Sequence, residues 1–140
     1  GNPRRMSTGF DYNRLSLLLA VLEKRVGFHF SAFDAYVNIV GGLKLAEPAV
    51  DLPVVLALIS SMKDAVLRED VIAFGEIGLA GEVRTVINAE SRVLEAARLG
   101  FKRCIIPIHN LSGISEKAKS QIEVVGVRTI KKAFDAAIVE

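Results

Sequence analysis

The stretch that most resembles a catalytic element runs from residue 41 to residue 54, GGLKLAEPAVDLPV, where a turn leads into an apolar segment. A turn at the start of a buried helix is a common place for a serine or cysteine nucleophile. This turn offers Glu47, Pro48, Ala49, Val50 and Asp51, with no hydroxyl or thiol. Because the helix dipole favours anionic side chains at a helix start, Glu47 and Asp51 are interpreted as capping residues.

The other reactive side chains do not form a catalytic set. Ser60, Ser61 and Ser91 supply hydroxyls, but Ser91 stands beside Arg92, and an arginine does not act as a base. His29, His109 and Cys104 lack the close spacing of a metal site. The glycines match neither a Walker loop nor a dinucleotide fingerprint. We therefore expect no metal and no cofactor in this chain.

The elements that position these residues alternate between helices and strands, and the periodicity predicts a mixed-sheet α+β (mixed α/β) domain. An apolar helix over residues 50–63 should be the buried central element, and residues 75–86 should form a hairpin. Further helices are predicted from residue 11 or 13 to 26, over 89–99 with Asn88 as cap and Gly100 as end, over 114–120 and over 129–138. Further strands are predicted over 33–40, 71–74, 103–106 and 121–127.

Length and charge indicate one domain with no pronounced basic excess. The 140 residues carry a net charge of +2, and residues 1–25 hold five basic and two acidic side chains, so the amino-terminal region is the basic end. Residues 1–10 are interpreted as a lead-in or linker remnant and 11–140 as the domain. The single cysteine predicts a buried, reduced thiol, and no apolar run is long enough for a membrane span, which together favour a cytoplasmic location.

The order of the central helix, GEIGLAGEVRTV and AESRVLEAARLGFKRCIIP resembles the proteolytic domain of the Lon family over about residues 35–140. The resemblance implies the Lon proteolytic-domain fold. It places the catalytic serine position on Ala49 and the lysine position on Arg92. Alanine has no nucleophile and arginine does not take up a proton, so this domain is predicted not to be an active peptidase.

A closer resemblance covers nearly the whole chain. NRLSLLLAVLEKR (13–25), VGGLKLAEPAVDLPV (40–54), GEIGLAGEVR (75–84) and EAARLGFKR (95–103) are similar to the carboxy-terminal Lon-like domain of the RadA (Sms) family of bacterial DNA-repair proteins. That family implies a longer protein whose amino-terminal zinc finger and RecA-like ATPase bind zinc, ATP and magnesium. It also implies a hexamer that drives branch migration in recombinational repair, with recombinases and replicative helicases as further partners and no membrane.

The resemblance implies that this chain acts as a hexamer scaffold and a sequence-independent DNA-binding module. Two alternatives to a DNA-contacting scaffold stay open: a purely structural oligomerisation domain without DNA contact, and a residual Ser/Lys-type peptidase that uses another hydroxyl. Phosphate contact requires cationic side chains on one face. The candidate DNA-binding residues are Lys44, Arg84 and Arg92, grouped around the degenerate peptidase positions, and Arg14, Lys24, Arg25, Lys102 and Arg103.

Overall fold

The computed structural model describes residues 5–8, 17–18, 20–21, 35–38 and 48–139, which fall into two units. One unit comprises residues 1–47 with 79–81, and the other comprises residues 48–78 with 82–140. The described residues form helices together with both parallel and antiparallel strand pairs, which confirms the predicted α+β class. The division at residue 10 and the Lon-type detail of the fold stay predictions.

In the first unit, strand β1 (Arg5–Thr8) pairs in parallel with strand β2 (Ala35–Asn38). The second of these strands lies within the predicted one, whereas the first lies in the lead-in and was not predicted. Residues 17–18 and 20–21 are helical, as the periodicity predicts, and Leu18 and Val21 are buried.

The second unit is built on a parallel sheet of three strands. In their order across the sheet, these are β3 (Val71–Ala73), β6 (Arg103–Pro107) and β7 (Glu123–Val127). Cys104, Ile105 and Ile106 of the middle strand are fully buried, as expected for a strand covered on both faces. Pro107 ends this strand because it has no amide proton to continue the ladder.

Helices cover this sheet. Helix α1 (Asp51–Lys63) follows a 3-10 turn (Pro48–Val50) and packs against α4 (Ile130–Ala137), while α2 (Ala89–Arg98) packs against α3 (Glu116–Gln121). All four helices match the predicted segments to within a few residues. Of the helices in the described part of the chain, none has the length and hydropathy that a bilayer crossing requires.

Of the two predicted ends of α2, the first is wrong and the second is confirmed. Asn88 precedes α2 in a left-handed conformation, with φ of 59°, and its side chain makes no capping hydrogen bond, so the predicted cap is wrong. The predicted end is confirmed: Gly100 has φ of 95°, a value that glycine adopts without strain, and the Phe101 amide then donates to the Ala96 carbonyl.

The predicted hairpin is present as β4 (Glu76–Ile77) and β5 (Val83–Arg84), in antiparallel register. Gly75 joins it to α1, because the Gly75 amide donates to the Ala49 carbonyl at 3.0 Å and its carbonyl accepts from the Leu52 amide at 3.0 Å. A Cβ at Gly75 would lie 2.8 Å from the Val83 Cγ1 atom. Only glycine therefore fits between the helix start and the hairpin.

We predict that Gly75→Ala destabilises the fold by about 1–3 kcal/mol, the usual cost of overpacking a core. The added methyl group has to displace Val83, which is buried, or break the bonds to the start of α1. Urea unfolding followed by circular dichroism measures the change. Gly113→Ala is the matched control because nothing lies within 4 Å of its Cβ position. Equal stability of the two variants would contradict this role for Gly75.

Candidate functional site

A cleft of about 460 Å³ lies where the start of α1, strand β3 and helix α2 meet. It brings together the two positions that the Lon resemblance singles out, Ala49 and Arg92. The carboxyl end of a parallel strand is a common place for a ligand site in α/β sheets. The described residues that line it are Ala49, Val50, Pro53, Ile72, Ala73, Phe74, Asn88, Ser91, Arg92, Glu95, Ala96, Leu99 and Cys104.

The Ala49 side of the cleft carries no reactive group. Ala49 is 2% exposed and sits in the 3-10 turn that precedes α1, with its carbonyl bonded to the Gly75 amide. The structure therefore fixes this position through the backbone while the side chain offers only a methyl group to the cleft. The assignment of Ala49 to the lost serine position stays a prediction.

Arg92 is held by the backbone just before its helix and by an aromatic ring. Its Nε donates to the Ile87 carbonyl at 3.0 Å, and its guanidinium carbon lies 5.9 Å from the centroid of the Phe74 ring. A cation at this distance is attracted to the ring face. Arg92 thus lies half-buried at the cleft as a positioned cation, and it gives the cleft one positive charge.

Asp51 does not cap α1 as predicted. It is fully buried, the helix makes no side-chain capping bond at Val50, and the Asp51 Oδ2 atom accepts from the Ile77 amide at 3.0 Å. The carboxylate therefore joins the first turn of the helix to strand β4. The negative charge of Asp51 in the first turn still agrees with the direction of the helix dipole. Glu47, the other predicted capping residue, lies outside the described residues.

The predicted buried thiol is confirmed. Cys104 is a free cysteine with no exposed surface, on the middle strand behind the cleft. Burial raises the pKa of the thiol from 9.0 to about 12, because the apolar surroundings disfavour the thiolate. The thiolate is the nucleophilic form, so this thiol does not supply a nucleophile to the cleft at neutral pH.

The structure separates the candidate DNA-binding residues. Arg84, on β5, lines a second cleft with Arg128 and not the Ala49 cleft. Lys102 is exposed beside β6. Arg103 is committed to the fold, because it donates to Glu123 at 2.7 Å and to the Ala136 carbonyl at 2.8 Å. Lys44, Arg14, Lys24 and Arg25 lie outside the described residues.

Two side chains of the second cleft, Arg128 and His109, were not predicted as site residues. Each stands far from Arg84 in the sequence, and no short motif connects them. The available signal was that Arg128 directly follows the predicted strand over 121–127 and that His109 follows the strand-ending Pro107. Parallel neighbouring strands bring their carboxyl ends to one edge.

Asp51→Ala should destabilise the protein by about 1–3 kcal/mol, since it leaves the buried Ile77 amide without its acceptor. Asp51→Asn retains an acceptor oxygen, so we expect a smaller loss. Urea denaturation monitored by circular dichroism checks both. Asp135→Ala removes an exposed carboxylate from α4 and serves as the control. The role of Asp51 is refuted if its alanine variant is as stable as that control.

The Cys104 thiol should react with a disulfide reagent only when the chain unfolds, and labelling at pH 8 should be far slower than in urea. The folded state favours the protonated thiol, since its pKa is raised above 9.0. This contribution to stability is intact below about pH 9 and is lost as pH rises toward 12. Absorbance of the released thiol measures the rate. Equal rates in native and denatured protein would contradict the burial.

Comparison of the sequence with known proteins places the chain in a family. A family model described as subunit ChlI of Mg-chelatase matches residues 15–110. Proteins named DNA repair protein RadA match 95–99% of the chain: it is 51% identical to that of Halalkalibacterium halodurans, 52% to that of Bacillus subtilis and 42% to that of Escherichia coli. The chain spans 28–30% of the length of these relatives.

Among the residues that the structure describes, no group of three histidine, cysteine or carboxylate side chains is placed to hold a metal ion. The extent of the family match and the identities to the RadA proteins confirm the resemblance found in the sequence. The chain belongs to the family described as subunit ChlI of Mg-chelatase, and it is homologous to part of the bacterial DNA repair protein RadA.

Proposed function

We propose that this chain is the non-catalytic scaffold and DNA-contacting domain of a RadA-type DNA-repair protein. The observation that carries the proposal is the 42–52% identity to proteins named for DNA repair over 95–99% of the chain. In the proposal the whole protein is a cytoplasmic, ATP-driven hexamer that acts in recombinational repair by branch migration. ATP, magnesium and zinc bind in its other domains, and recombinases and replicative helicases are its further partners.

The chemistry of the Ala49 cleft supports a role other than catalysis. Among the described lining residues none is a lysine or a histidine, and the hydroxyl of Ser91 lies beside Arg92 and Glu95. The hydrogen bond from Arg98 lowers the pKa of Glu95, which makes this carboxylate a weaker base. A residual Ser/Lys-type peptidase therefore lacks a suitable base among the described residues of this cleft.

The four described candidates for DNA contact differ in their exposure and in the contacts that they make. Arg84 and Lys102 have exposed side chains, which duplex phosphates could reach. Arg103 serves a structural role through Glu123 and Ala136, so we place it outside the proposed DNA contact. Arg92 is half-buried over Phe74 and would contribute to the field of the cleft more than to direct contact.

Exposed apolar side chains support the scaffold part of the proposal and also the alternative of a purely structural oligomerisation domain. Large hydrophobic side chains on the surface of a single chain often mark an interaction surface. Among the described residues, those with more than half of their surface exposed are Val66, Leu79, Ile87, Leu99 and Val139.

The scaffold and DNA-binding functions are measured separately on the 140-residue chain. Multi-angle light scattering should give a mass of six times 15.2 kDa. Fluorescence anisotropy with labelled duplexes of unrelated sequence should give similar affinities. The logarithm of the association constant should fall linearly with the logarithm of salt concentration, because each phosphate contact releases condensed counterions.

Other outcomes select the alternatives. A hexamer that binds no duplex would favour the purely structural oligomerisation domain. Cleavage of casein, or labelling of a serine by a serine-reactive probe, would favour the residual peptidase. A duplex affinity that does not change with salt would contradict phosphate contact.

A further inference from the structure

A second cleft of about 400 Å³ lies beside the hairpin, away from the positions that the peptidase resemblance singles out. It collects basic side chains from three separate segments: β5, the turn after β6 and the end of β7. Its described lining residues are Glu82, Val83, Arg84, Thr85, Ile108, His109 and Arg128.

Backbone hydrogen bonds hold Arg84 next to Arg128. The Val83 amide donates to the Arg128 carbonyl at 2.9 Å, and Glu82 and Thr129 form an isolated antiparallel bridge. The two arginines therefore project from adjacent backbone segments whose separation is fixed. A guanidinium pair on fixed supports loses less conformational freedom on binding than two mobile side chains.

The opposite wall is fixed by one asparagine. His109 belongs to the 3-10 turn Ile108–Gly113, and within this turn Asn110 binds the segment after β5 through both ends of its side-chain amide. Its Oδ1 accepts from the Val86 amide at 3.1 Å, and its Nδ2 donates to the Val86 carbonyl at 3.2 Å. The wall that carries His109 is thereby joined to the segment that carries Arg84.

The arginines of this cleft differ from three others in the described chain that have acidic partners. Arg68 pairs with Asp70, Arg98 with Glu95 and Arg103 with Glu123. Within the described residues, no ion pair or side-chain hydrogen bond engages Arg84 or Arg128, although Glu76 faces Arg84 across the hairpin.

The acidic residue of the cleft lies to one side. The Glu82 carboxylate stands beside Gly78, where an added Cβ would meet it at 2.2 Å. The Glu82 carboxylate therefore lies at the hairpin turn. The two guanidinium groups are left to face the cleft with the His109 ring and the Thr85 hydroxyl as further hydrogen-bond donors.

We propose that Arg84, Arg128 and His109 form a phosphate-binding cleft that grips the backbone of duplex DNA. Guanidinium groups bind phosphate oxygens through two parallel hydrogen bonds, and two of them on fixed supports define a direction for the strand. This inference rests on the proposed function and deepens it, because it assigns the contact to Arg128 and His109 and moves it away from Arg92.

The test uses the double variant Arg84→Gln with Arg128→Gln in the 140-residue chain. Each lost phosphate contact should lower the log–log salt slope of duplex binding by about one, so the double variant should lose about two. Its affinity at low salt should fall at least tenfold. Fluorescence anisotropy across a salt series gives both values, and circular dichroism establishes that the variant is folded.

The matched control is Lys117→Gln with Lys131→Gln, which removes two positive charges from exposed positions on α3 and α4. An equal loss of affinity in this control would overturn the proposal, because net charge alone would then explain the effect. A second variant, Arg84→Lys with Arg128→Lys, retains the charges. It should keep the salt slope of the unmodified chain while binding more weakly, since lysine lacks the forked geometry.

The outcomes separate this inference from the function on which it rests. If the unmodified chain binds duplex and the glutamine variant binds equally well, the cleft is not the contact and the proposed function stands. If the unmodified chain binds no duplex, both are overturned. If inorganic phosphate at millimolar concentration displaces the duplex from the unmodified chain but the cleft variants bind phosphate equally well, the phosphate lies elsewhere and the cleft assignment is overturned.

Discussion

The junction between the start of α1 and the segment that leads into the hairpin is the constraint on which the second unit depends. Three hydrogen bonds form it: the Gly75 amide donates to the Ala49 carbonyl, the Leu52 amide donates to the Gly75 carbonyl, and the Ile77 amide donates to the Asp51 carboxylate. A buried carboxylate is tolerated only where hydrogen bonds replace its lost hydration. Because Ala49, Asp51 and the hairpin share this junction, the floor of the first cleft and the strand that carries Arg84 are positioned by the same contacts.

This shared junction also fixes the turn that carries Ala49. The backbone around Ala49 is fixed by a hydrogen bond that does not involve its side chain. Arg92 in turn contributes to packing through Ile87 and Phe74. Both positions therefore have structural roles that are independent of any reaction, and the functional surface can lie elsewhere in the same fold.

The elements that follow from local signals were predicted from the sequence. Helix α1 was predicted from its apolar composition, the hairpin from its glycines, and α4 from the spacing of Ile130, Ala133 and Phe134, all of which are buried. Contacts between distant segments were not predicted. Asp51 and Ile77 are 26 positions apart, and local capping was the simpler interpretation of the carboxylate.

The candidate sites show the same limit. The meeting of Ala49 and Arg92 in one cleft was anticipated through the family resemblance, whereas the pairing of Arg103 with Glu123 depends on the register between β6 and β7. The 3-10 turn Ile108–Gly113 has no helical periodicity that a sequence pattern could reveal. For that reason the approach of His109 and Arg128 to Arg84 emerged only from the three-dimensional arrangement.

The double hydrogen bond between Asn110 and Val86 has a consequence for motion. One side chain satisfies both the donor and the acceptor of Val86, so the 3-10 turn cannot separate from the segment after β5 without leaving both groups unpaired. Separating these two walls of the second cleft therefore costs both hydrogen bonds at once. The binding energy of a ligand that spans the walls would be thermodynamically linked to the order of that turn.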